Sequence, residues 1–368
     1  MLGPLDKKMS STAADRVSPR FPRGMTEFAH EVLVKYPELA PTSLTHTYSP
    51  QRYTASGELL DLQGAHESLT MVSQSIFSRF AQTYQRPFDR YGASAQEIEW
   101  VRQAFYDHPD FKKALDKLDI PQECADFIKI PWFNEIAGGE ARYDGDGDSP
   151  RVVLCPRHSY ETQLMRVGVY RPVRNVSVMA LMFTKPDPET GIPSVVIGLR
   201  GGKSYYNTFH LPAGALELSE GLKAGSESIF DVFERTELYP ETGITGADAS
   251  IKLWGRIDDR VLDQGPGYIF RVDTGLSSDE VLAKFVSNGH IDRGEHRSFT
   301  FIPCRTRDIQ SFIRRYYKGA VVSDNARTDD ELRLLHPAAL VLAGLSDMPL
   351  EELRTCVESD ADGRALLL

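Results

Sequence analysis

Between Leu211 and Ile244 the chain reads LPAGALELSEGLKAGSESIFDVFERTELYPETGI, and this stretch decides the fold. At about 100° per residue, Ile229, Val232, Phe233 and Thr236 share one side of a helix expected over Ser228 to Tyr239. Glu227, Asp231, Glu234, Glu237 and Glu241 fall on the other side, within an arc of roughly 120°. Arg235 lies at the border. Ser226 followed by acidic residues supplies a start signal. A solvated acidic face is the plain reading of such a helix, yet carboxylates crowded on one face repel one another. A hard cation relieves that repulsion, because Mg²⁺ prefers oxygen ligands, water and substrate phosphates.

The stretch resembles the box of the Nudix hydrolases, G-x5-E-x7-R-E-U-x-E-E-x-G-U with U a bulky apolar residue. Gly221, Glu227 and Arg235 keep the first spacing. Glu237, Leu238, Pro240, Glu241, Gly243 and Ile244 fit the second half if Thr236 is one inserted residue. LPAG at Leu211 to Gly214 is similar to the family's LPGG entry, ahead of a lengthened loop. A second register, with Gly214 and Glu220 as the opening G-x5-E, stays open. The resemblance implies Mg²⁺ or Mn²⁺ held by Glu227, Glu237 and Glu241. Arg235 would orient the carboxylates, and Glu237 would also serve as a base. Pro240 stands where the family has another glutamate, and Glu234 is the candidate substitute ligand. Proline also disfavours helix at Tyr239 and has no amide to donate, so an early helix end would swing Glu241 off the acidic face.

Working outward, Val173–Phe183 and Val195–Leu199 are apolar, β-branched runs joined by the turn-rich KPDPETGIP. Thr208–Leu211 reads as a third strand, followed after the box by Ile251–Ile257, Tyr268–Val272 and Phe299–Ile302. Helices are expected at Asp308–Tyr317 and His336–Leu345. The pattern predicts an α/β fold, a Nudix-like mixed sheet sandwiched by helices, over residues 171–350. EHRSFTFIP at Glu295 to Pro303 is similar to the family's last acidic loop and strand, which makes Glu295 a catalytic or metal-binding candidate. In LRGGKSYY, Arg200 and Lys203 are candidates for phosphate and Tyr205 and Tyr206 for a base, with surface or packing roles as the plainer reading.

Residues 1–24 read as a flexible tail. Residues 25–138 read as a helical N-terminal domain, from Phe28, Val32 and Tyr36, then Leu69, Val72, Ile76, Phe77 and Phe80, then Ile98, Val101, Phe105 and Phe111 at helix spacing. Residues 139–170 read as a linker or loop, and 351–368 as a C-terminal tail. Asp144, Asp146 and Asp148 take alternate positions of a calcium loop. Ser149 and Cys155 replace its glycine and glutamate, so a solvated turn is the reading.

The chain has 368 residues, enough for two domains, and 41% of them are hydrophobic, enough for sizeable cores. A net charge of -10 makes nucleic acid an improbable partner, since phosphate backbones need a basic face. Four scattered cysteines without a CxxC pair read as reduced thiols. No apolar run reaches the ~20 residues of a membrane span, and the expected compartment is the cytoplasm. A small phosphorylated or nucleotide substrate is the expected partner, with a homodimer left open. The resemblance implies a divalent-cation-dependent hydrolase of a nucleoside diphosphate linked to another moiety. The rival reading is a catalytically degenerate Nudix-like module that binds a nucleotide or a protein.

Overall fold

The computed structural model describes residues 33–52, 58–88, 93–120, 136–145, 149–158, 174–201, 207–259, 265–289, 295–318 and 332–353. They fall into two compact units: Tyr48–Ala141 with Val153–Arg174, and the rest of the described chain. The first described elements are strands, β1 (Leu33–Leu39) and β2 (Thr45–Tyr48). Tyr36 therefore sits on a strand rather than the expected helix, and Phe28 and Val32 lie outside the described residues. Pro37 lies within β1 and Pro41 just beyond it, which favours extended chain over helix here.

Three helices follow further along. Helix α1 (Leu62–Tyr84) starts on Asp61, whose carboxylate accepts from the Gly64 amide, and buries Leu69, Val72, Ile76 and Phe80. Helix α2 (Ala95–Tyr106) opens with a Ser94–Glu97 capping box and buries Val101 and Phe105. Helix α3 (Pro109–Lys117) has proline in its first turn, where no amide is missed, and buries Phe111. These side chains form one core in which Phe80 stacks on Tyr84 at 4.4 Å and meets Trp100 edge-on. Each fully buried Leu, Ile or Phe contributes ~1.5–3 kcal/mol.

The expected linker carries two strands instead, β3 (Ile136–Asp144) and β4 (Arg151–His158). The buried residues of β3 are Gly138 and Gly139, so the strand shows no apolar alternation to read. The Cys155 thiol donates to the Gly139 carbonyl at 3.6 Å. Asp144 pairs with Arg142 at 2.9 Å, and Asp146 and Asp148 lie outside the described residues.

From Arg174 the chain follows the strand pattern closely. After the two-residue β5 (Arg174–Asn175) come β6 (Ser177–Phe183), β7 (Ser194–Arg200), β8 (Thr208–His210) and β9 (Ala213–Ala215). A short helix α4 (Glu220–Ala224) lies in the lengthened loop, and the acidic helix follows as α5 (Ile229–Phe233), a π turn (Glu234–Leu238) and α6 (Tyr239–Thr242). Then come β10 (Ala249–Asp259), β11 (Gly265–Thr274), α7 (Ser278–Ser287), β12 (His296–Pro303), α8 (Thr306–Tyr316), β13 (Arg333–Leu334) and α9 (His336–Leu345). Helix α7 was not anticipated, although Ser277 and Glu280 form a capping box visible in the sequence. The expected tail from 351 begins in a helical turn, where Leu353 is buried.

Nine strands make one mixed sheet in the order β1-β10-β11-β6-β7-β8-β13, with β12 on β7 and β9 on β6. The β11–β6 and β13–β8 pairs are parallel and the other pairs antiparallel. Both faces of its centre are buried, so the strands are apolar at consecutive positions. Met179, Leu181 and Phe183 join the core formed with Ile309 and Ile313 of α8 and Ala338–Ala343 of α9. On the opposite face Phe233 stacks on Phe270 of β11 at 4.9 Å. Helices thus cover the sheet on both sides, as the pattern predicts. Among the described residues no helix is long and apolar enough to cross a membrane.

Candidate functional site on the acidic helix

The helix starts on Ser228, whose hydroxyl accepts from the Asp231 amide while the Asp231 carboxylate accepts from the Ser228 amide. Asp231 is therefore a cap. Two residues before it ends, the helix carries Pro240, yet Tyr239 keeps helical angles, φ -67° and ψ -48°. The early end expected from Pro240 does not occur. The helix stops instead at Gly243, whose φ of +75° favours glycine and whose amide donates to Tyr239 at 2.8 Å. The Asn288 side chain donates to the last carbonyls, Tyr239 and Pro240, at 2.9 and 2.8 Å.

Thr236, the inserted residue, lies in the π turn Glu234–Leu238. There the Tyr239 amide reaches back five residues to the Glu234 carbonyl. Such a turn holds one residue more than an α turn, the way single insertions are absorbed in helices. The Thr236 hydroxyl donates to the Val232 carbonyl at 2.9 Å.

At the loop side, Gly221 and Gly214 both lie under carboxylates. A methyl group at Gly221 would overlap Glu227, and one at Gly214 would overlap Glu237. Glu227 accepts a short hydrogen bond from the Ser219 hydroxyl and lies 3.7 Å from Arg235, which is also 3.7 Å from Glu217. With Arg235 half-exposed, these pairs are worth a fraction of a kcal/mol, on the order of 0.5. Glu220, the opening glutamate of the alternative register, points to solvent and pairs with Lys223. Glu234 accepts from the Gly246 amide at 2.6 Å, so its carboxylate is used on that loop rather than beside Glu237.

Glu241 turns inward. Only 2% exposed, it accepts from the Ala213 amide in the LPAG loop at 3.1 Å and lies 3.3 Å from His296 Nε2. Burial, then the charge of Glu295, push its pKa well above the ordinary carboxylate value, against the pull of Arg200. Burial first and Arg200 second drive His296 down to about 3, and the same two causes in the same order drive His210 down to about 3. With His296 held uncharged, the close Glu241–His296 contact is a hydrogen bond rather than an ion pair. Arg200, at the end of β7, is held by Glu295 at 2.6 Å. His296 is registered opposite Arg200 and packs its ring over Gly198. The structure thus joins Arg200, Glu241 and Glu295 with His210 and His296, two residues the sequence reading missed. The signal was present: His296 leads the alternating run HRSF, and His210 sits between apolar Phe209 and Leu211. Lys203, Tyr205 and Tyr206 lie outside the described residues.

The chemistry of the donors is a poor match to Mg²⁺ or Mn²⁺. Such ions need several free carboxylate oxygens around one point. Pro240 supplies none, Oε2 of Glu241 takes both Ala213 and His296, and Oε1 of Glu234 takes the Gly246 amide. Among the described residues no three His, Cys, Asp or Glu side chains gather so as to hold a metal. The residues present do not fit the metal centre that the resemblance implies.

No protein-family profile matches the chain, and no curated protein matches it. Among solved structures it is similar to a MutT/nudix family protein from Enterococcus faecalis, at 17% identity and a TM-score of 0.25. That match covers 36% of this chain and 45% of the other, so the chain spans less than half the length of that protein. It is also similar to the NUDIX domain of Shewanella oneidensis NrtR complexed with ADP ribose, at 14% identity and a TM-score of 0.28. That match covers 52% of this chain and 97% of the other.

Proposed function

We propose that the sheet unit is a Nudix-like module that binds a small phosphorylated, nucleotide-type ligand and does not hydrolyse it by a metal route. The observation that carries this reading is the fate of the carboxylates at the C-terminal half of the box: Pro240 offers no oxygen, and Glu241 is buried against His296 and the Ala213 amide. The ligand class is supported by the resemblance of the box and of the LPAG entry. Glu237, the retained box glutamate, lies over Gly214 of that entry.

The test is calorimetry on the full chain with a nucleotide sugar, a dinucleotide and a nucleoside triphosphate, each with Mg²⁺ and with a chelator, alongside assays of turnover. Saturable binding without turnover is the expected result. Mg²⁺-dependent turnover abolished by Glu237→Gln would overturn the reading. It would establish the second one, a divalent-cation-dependent pyrophosphohydrolase, which the retained Glu227, Arg235 and Glu237 favour. No binding of any of the three ligands would sink the ligand class.

A further inference from the structure

Two departures from the box lie four residues apart, and the structure places them in successive turns of one helix. Thr236 lies in the π turn, and Pro240 opens the turn that follows. Each alone is awkward for a helix. An extra residue in an α-helix rotates everything beyond it by about 100° relative to what precedes it. A proline removes an amide and drives its ring against the carbonyl four residues back.

Together they relieve one another. The π turn takes up the extra residue, so the half before it and the half after it keep the rotation of an uninterrupted helix. At the same turn the carbonyl bonded to Tyr239 is set one residue further back, at Glu234, which opens the helix where the Pro240 ring must fit. The proline in turn confines the bulge. A π turn moves along a helix when successive amides exchange partners, and position 240 has no amide to exchange. At the other end the Ser228–Asp231 capping box holds the helix start.

We propose that Thr236 and Pro240 are a compensating pair of positioning residues that locks the helix register. That register lays Glu237 over Gly214 and Glu241 against the Ala213 amide. The inference concerns the helix alone and stands whether or not the ligand reading holds.

The experiment is a cycle of four full-length chains: the parent, deletion of Thr236, Pro240→Ala, and both changes together. Two quantities are read, the melting temperature and the hydrogen-exchange rate of the Ala213 amide, which reports the Glu241 contact. Deletion alone should lower the melting temperature by roughly 5 °C or more and accelerate Ala213 exchange at least about tenfold, since the plain α-helix must then hold the proline. Pro240→Ala alone should leave the melting temperature nearly unchanged but accelerate Ala213 exchange, because an amide at 240 frees the π turn to move. Adding Pro240→Ala to the deletion should restore both readings, because a continuous α-helix keeps the same rotation. If the deletion alone does not fold, a double variant that folds supports the proposal, and one that also fails to fold overturns it. The proposal is likewise overturned if the deletion is harmless with Pro240 kept, or if it is as damaging with alanine at 240 as with proline.

Discussion

The two halves of the acidic helix both carry carboxylates, with opposite fates. Up to the first residue of the π turn, Glu227, Asp231 and Glu234 lie at or near the surface, and each satisfies a hydroxyl or an amide: Ser219, Ser228 and Gly246. After it, Glu241 is drawn under the LPAG loop, against His296 and beside the Arg200–Glu295 pair. Periodicity places all of these carboxylates on one face. What separates them is what the sheet end and the loops bring up to that face. The open half is held by backbone caps, and the buried half by desolvated hydrogen bonds whose loss costs more.

The largest difference between the halves should come from acid. His210 and His296 are buried neutral, with pKa values of about 3 against 6.5 unfolded. Between those limits the unfolded chain binds protons that the folded chain refuses, so their stabilisation is complete above pH 6.5 and lost as pH falls toward 3. Glu241 has the opposite sign. Its raised pKa makes the folded state hold a proton above pH 4.5 that the unfolded chain releases, so it offsets the histidines above 4.5 and not below. Urea unfolding of the parent and of His210→Gln from pH 7 to 3 should therefore diverge, with the parent losing about 1.4 kcal/mol more per pH unit below 6.5, since Glu241 and His296 are common to both chains. Parallel curves would show that His210 is not held neutral.

Next in size is Glu241→Ala, which leaves the Ala213 amide and His296 without their partner and should cost about 3 kcal/mol. Glu241→Gln should retain most of the stability, because a primary amide of the same shape keeps an acceptor for the Ala213 amide and carries no buried charge. Glu227→Ala at the open half should cost less than about 1 kcal/mol. Equal losses at 227 and 241 by chemical denaturation would erase the distinction between the halves.

Much of this was legible in the sequence, and the part that was not has a physical reason. Strands β6, β7, β8, β10, β11 and β12 read correctly because a sheet buried on both faces writes unbroken apolar runs, whereas the short β9 and β13 were not read as strands. The one-residue insertion at Thr236 was legible as a mismatch of spacing, and the π turn is its physical form. The fate of Glu241 was not legible. It depends on Ala213, His296 and Glu295, which lie 28 to 55 residues away in the chain and meet it only after the sheet forms. Strand β3 was hidden because its buried positions are glycines, and β1 because a helical spacing of three apolar residues ran across its start.

The smallest expected difference is between two glycines that end the helices on either side of Ser228. Gly225, after α4, has φ +73° and nothing within 4 Å of where a methyl group would sit. Gly243, after α6, has φ +75°, and there a methyl group would lie 2.8 Å from the Lys284 carbonyl and 3.3 Å from the Asn288 side chain. Alanine at either position carries the left-handed backbone penalty, about 1 kcal/mol. Only at Gly243 must α7 also move, and with it the Asn288 clamp on the Tyr239 and Pro240 carbonyls. Gly243→Ala should therefore cost about 2 kcal/mol and Gly225→Ala about 1. The excess of about 1 kcal/mol, read by urea unfolding, isolates the packing against α7 from the backbone angle that both sites share. If the two variants lose the same stability, α7 yields freely, and the buried end of the helix is no more tightly held than the open one.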